Sequence, residues 1–67
     1  MGRHGNQSLD QLRLRAHMVR TEALAVQLAA TDKWGAKSAL ATAADLTVRQ
    51  ADGMLRVIDG LMAAGER

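Results

Sequence analysis

Two apolar stripes run along opposite sides of one predicted helix, and this limits the fold of the chain more than any other feature of its 67 residues. Leu9, Leu12, Ala16, Val19, Ala23, Val26 and Ala30 alternate steps of three and four, an unbroken heptad seam. Leu14, Met18, Ala25 and Leu28 form a second stripe roughly 180° away at about 100° per residue, with Leu24 at its margin. Narrow polar strips separate the two, Arg13, Arg20 and Gln27 on one flank and Gln11, Arg15 and Glu22 on the other. A surface helix in a monomer needs a single apolar stripe. The short helices expected downstream can cover only one of these two.

Size sharpens the problem. A chain this short buries only about 60% of the surface its unfolded form exposes, and small domains compensate with disulfides, a metal or oligomerisation. There is no cysteine, which removes disulfides and thiolate metal sites together. His4 and His17 have no carboxylate cluster around them, so no metal and no cofactor are expected. Self-association is what remains. We expect a homodimer whose seam is the heptad stripe of Leu9, Leu12, Ala16, Val19, Ala23 and Val26, because Ala16 and Ala23 permit close approach of two helices.

Composition makes the chain all-α. Ala and Leu dominate, β-branched residues are sparse, proline is absent and Trp34 is the sole aromatic. Punctuation divides it into a basic flexible arm over 1–7 and one domain over 8–67 with three helices. Ser8 reads as the N-cap of a first helix over about 8–30. Gly35 is the turn residue before a second helix over about 37–44. Asp45-Leu46-Thr47 reads as a tight turn, with Thr47 capping a third helix over about 48–64 and Gly65 stopping it. Trp34 is expected to cap the core beneath the first turn, and His17 to be a solvated surface histidine.

Leu40-Ala41-Thr42-Ala43-Ala44-Asp45-Leu46-Thr47-Val48-Arg49-Gln50-Ala51 resembles the helix-turn-helix of bacterial and phage transcription regulators. Leu40-Ala41 stands where two helices cross closely, Asp45-Leu46 stands at the turn and its apolar anchor, and Ala51, Met54 and Leu55 supply buried positions in the second helix. The continuation through Ile58, Leu61, Met62 and Ala63-Ala64-Gly65 looks like the end of a winged-helix recognition helix. A β-hairpin wing would follow Gly65 in such proteins and the sequence stops at Arg67, so the resemblance is to the tri-helical core. It implies a homodimeric DNA-binding regulator. Val48, Arg49, Gln50, Gly53 and Arg56 would then face the bases, with Lys37 and Ser38 on a phosphate and Arg3 and His4 reaching a neighbouring groove.

Charge argues for a different partner. Residues 1–20 carry Arg3, Arg13, Arg15 and Arg20 against Asp10, whereas residues 37–67 balance to zero. A recognition half with Asp52 and Asp59 beside it is poorly equipped to neutralise phosphates. The alternative is a phage or mobile-element interaction module that binds and inhibits a host transcription factor or another protein, with Arg13, Arg15 and Arg20 as the partner face. Gly53 and Gly60, seven apart, would let another backbone approach, or stand as tolerated exposed positions. Nothing resembles a catalytic grouping or a phosphate loop, so an enzyme is not expected. The polar start and the lack of a long apolar run imply a cytoplasmic protein away from membranes.

Overall fold

The computed structural model describes residues 2–65, and their side chains from residue 8 onward. It is a hairpin of two antiparallel helices, α1 (Gly2–Trp34) and α2 (Ala39–Gly65), 49 × 14 × 11 Å in extent. The chain is all-α, but the three-helix expectation is overturned: α2 runs unbroken through Asp45-Leu46-Thr47. There is no turn between a second and a third helix, and so no helix-turn-helix.

The physical reason lies in the side chains that suggested the turn. Thr47 is not an N-cap; its hydroxyl donates back to the Ala43 carbonyl at 3.1 Å, one turn earlier in the same helix. The Asp45 carboxylate accepts from Gln27 of α1 at 3.3 Å and lies 3.2 Å from Arg49 one turn on. With neither glycine nor proline in the segment, the small helix penalties of Asp and Thr, about 0.5 kcal/mol each, do not break the helix, and the Asp45 contacts to Gln27 and Arg49 work against them.

The turn at Gly35 is where the sequence placed it. Gly35 has φ +99°, and its N–H donates to the Thr31 carbonyl at 2.9 Å, ending α1 at a position where a side chain would be strained. Ser38 then caps α2, its Oγ accepting from the Ala41 N–H at 3.2 Å. α1 extends beyond the expected 8–30 at both ends, so Ser8 stands within the helix and Thr31–Trp34 form its last turn. Trp34 caps no core: it is 61% exposed, with the Lys33 ammonium 5.3 Å from its ring centroid. His17 is exposed, as expected. The backbone of 2–7 is the start of α1 where a flexible arm was expected, and the side chains of 1–7, Arg3 and His4 among them, lie outside the described residues.

The seam between the helices is built from methyl groups. Ala16, Ala23 and Ala30 of α1 meet Ala41, Ala44, Val48 and Ala51 of α2, and among the described residues these are the buried apolar positions. No large side chain is fully buried among them. Alanine lets the backbones close up, but each contributes only about 0.8 kcal/mol of burial, against about 2 kcal/mol for a buried leucine. Away from the turn, Leu9, Leu55, Ile58 and Met62 are half-buried around the end of this seam.

Candidate functional site

The two long sides of the hairpin differ in kind. Along one, three polar contacts link the helices: Arg13 to Asp59 at 3.4 Å, Arg20 to Asp52 at 2.6 Å, and Gln27 to Asp45 at 3.3 Å. Each rung lies seven residues on from the last in α1 and seven back in α2, the progression an antiparallel pair demands. The ladder fixes the register and satisfies the acidic groups of α2 within the chain.

The other side is apolar and open. Leu12, Val19 and Val26 of α1 recur every seven residues, and so do Leu40, Thr47, Met54 and Leu61 of α2. The six apolar members of these rows keep between 40% and 52% of their surface exposed. Leu12, Val19, Val26, Leu40 and Met54, together with Val57, wall a groove floored by Ala16, Ala23 and Ala44, with Arg15 and Glu22 on its α1 rim, and Leu61 continues the α2 row beyond it. Thr47 interrupts the apolar row without leaving a dangling hydroxyl, since its own helix accepts that proton. In a long two-helix rod the large side chains belong between the helices. Here they stand beside them.

The heptad seam expected to join two copies is therefore divided. Ala16 and Ala23 are consumed by packing on the chain's own α2, Leu9 is half-buried, and Leu12, Val19 and Val26 face the groove. The second stripe of α1, with Leu14, Met18 and Leu28, points away from α2 and is exposed without a matching row beside it. Of the arginine face, Arg13 and Arg20 are paired in the ladder, and Arg15 stands across the helix at the groove.

The residues assigned to DNA do not form one surface. Val48 is buried against α1, Arg49 is tied to Asp45 within its own helix, and Ser38 serves as a cap. Lys37 lies in the turn, while Gln50, Gly53 and Arg56 are exposed farther along α2. From Ser38 to Arg56 is about 27 Å along the helix axis, too far for one recognition turn. Ala41 and Ala51 are buried as the resemblance implied, but Leu40 and Met54, expected inside, are walls of the groove. A Cβ added at Gly53 or Gly60 would meet nothing within 4 Å, so neither glycine serves close packing within the chain.

Sequence reading missed the α2 half of the groove. The signal was present, since Leu40, Met54 and Leu61 keep a seven-residue register, but a turn at Asp45-Leu46-Thr47 would have broken it. No protein-family model matches the chain, nor does any curated protein or any solved structure. No described helix is long and apolar enough to cross a membrane, and the described residues hold no cluster of metal-binding side chains.

Proposed function

We propose that the chain is a non-catalytic protein-interaction module, a helical hairpin that docks another helical surface along its open flank. The observation that carries this reading is the inverted distribution of side-chain size. Methyl groups fill the seam, while Leu12, Val19, Val26, Leu40 and Met54 line a groove, its α2 row continued by Leu61, that nothing among the described residues covers. Apolar rows at seven-residue spacing on two adjacent helices are what a further helix, or pair of helices, packs against. A continuous exposed apolar patch of this kind is a liability unless a partner removes it from water. A cytoplasmic setting belongs to the same proposal.

The DNA-binding reading rested on the helix-turn-helix, and with α2 continuous it keeps only the positive charge of the N-terminal half as support. Two of the arginines that supply that charge, Arg13 and Arg20, are engaged by Asp59 and Asp52.

Site-specific photo-crosslinking tests the docking reading whatever the partner is. A photoreactive residue placed at Val19 or Met54, in cells that carry the protein, is expected to give protein adducts, and the same probe at Leu28 on the back of α1 far fewer. Equal yields from all three positions would refute docking through this flank. Adducts to nucleic acid from Arg49 and Arg56 probes, with none to protein from Val19, would restore the DNA-binding reading.

A further inference from the structure

We infer that the occupant of the open flank is a second copy of the chain, docked face to face with its turn at the opposite end, on a twofold axis passing near Val19 and Met54. This rests on the docking reading and adds the identity and register of the partner.

The flank is self-complementary in that register. Two antiparallel copies of α1 centred on Val19 bring Val19 against Val19, and Leu12 of each copy against Val26 of the other. The same axis brings Met54 of α2 against its counterpart and sets Leu61 opposite Thr47. All these residues sit at seven-residue steps, so one placement pairs the whole α1 row and the Thr47-to-Leu61 stretch of α2, leaving Leu40 past the Gly65 end of the facing helix.

Charge then selects this arrangement over its rival. The groove's α1 rim carries Arg15 and Glu22, placed about evenly on either side of Val19 and about 10 Å apart along the helix. Neither joins an ion pair among the described residues. In the inferred dimer Arg15 of each copy faces Glu22 of the other, giving two symmetric pairs. If the turns lay at the same end instead, α1 would meet α2 of the other copy. Arg15 and Glu22 would then face Gln50, Gly53 and Val57, which carry no charge.

The area is sufficient. About this axis the two copies overlap over 8–30 of α1 and 43–65 of α2, a length of about 33 Å, and two helices make the face roughly 20 Å wide. That presents on the order of 600–800 Å² per copy, about the half-share of a standard stable interface. The product is a four-helix bundle in which Leu12, Val19, Val26, Met54 and Leu61, excluded from the hairpin's seam, become the common core.

The experiment uses the purified full chain, light scattering after sizing, and a charge cycle. We expect a dimer at micromolar concentration. Arg15→Glu or Glu22→Arg alone places like charges across the axis twice and should weaken dimerisation roughly tenfold, and the double exchange should restore it to within about threefold. Because the chain has no cysteine, Val19→Cys should oxidise to a linked dimer at least about ten times faster than Leu28→Cys. A chain that stays monomeric at about 1 mM overturns the second-copy inference. The docking reading survives that outcome if Val19 and Met54 probes still label a different protein. A dimer that ignores the charge exchange overturns the register, and one that crosslinks through Leu14, Met18 and Leu28 overturns both readings.

Discussion

The two flanks of the hairpin use the same seven-residue rhythm for opposite ends. On one, Arg13, Arg20 and Gln27 meet Asp59, Asp52 and Asp45, and the chain completes its own contacts. On the other, Leu12, Val19 and Val26 stand beside Leu40, Met54 and Leu61 with nothing among the described residues across from them. The polar flank gives register and little energy, because each exposed pair contributes about 0–1 kcal/mol. The apolar flank leaves about half of each large side chain in water, burial that only a partner can complete. If a partner covers that flank as proposed, folding and association are coupled, because the thin alanine seam buries little by itself.

The difference can be broken from the apolar side with the largest effect. Val19→Glu with Met54→Glu buries unpaired carboxylates at the centre of the assembly, and association measured by sedimentation should weaken by more than about 100-fold. The next effect belongs to the seam between the flanks. Ala51→Leu forces a large side chain where Ala51 is wholly buried, and should destabilise the hairpin by about 1–3 kcal/mol in chemical denaturation. Gly60→Ala works in the other direction. Its position is helical and open, so an added methyl should stabilise by up to about 1 kcal/mol, raising the denaturation midpoint with no change in assembly. The smallest effect is on the polar flank: Asp52→Asn should cost no more than about 1 kcal/mol, and less in high salt. A larger loss from Asp52→Asn than from Ala51→Leu would invert the proposed roles of ladder and seam.

These roles were only partly legible in the sequence. The helical class and the turn at Gly35 could be read because alanine-rich helix formers and a left-handed glycine act locally. Asp45-Leu46-Thr47 was misleading because Asp and Thr favour caps and turns over helix interiors, and here they stand inside one. What decides between the two is tertiary, in this case the packing of α2 on α1 and the Gln27 contact to Asp45. The heptad seam of α1 was visible, but its division was not: Ala16 and Ala23 turn inward while Leu12, Val19 and Val26 turn aside. That division depends on where α2 lies, which the opposed progressions Arg13, Arg20, Gln27 and Asp59, Asp52, Asp45 encode. Read together they specify an antiparallel pair. Read as a basic face and as acidic residues unsuited to DNA, they pointed elsewhere.

Thermal unfolding followed by circular dichroism over three decades of concentration, from about 1 μM to about 1 mM, tests the coupling most directly. If covering the open flank is what holds the hairpin together, the midpoint should climb by about 5 °C for each tenfold increase in chain. A midpoint that stays fixed across the whole range, with full helicity at the lowest concentration, would mean that the alanine seam suffices by itself, and would contradict the account.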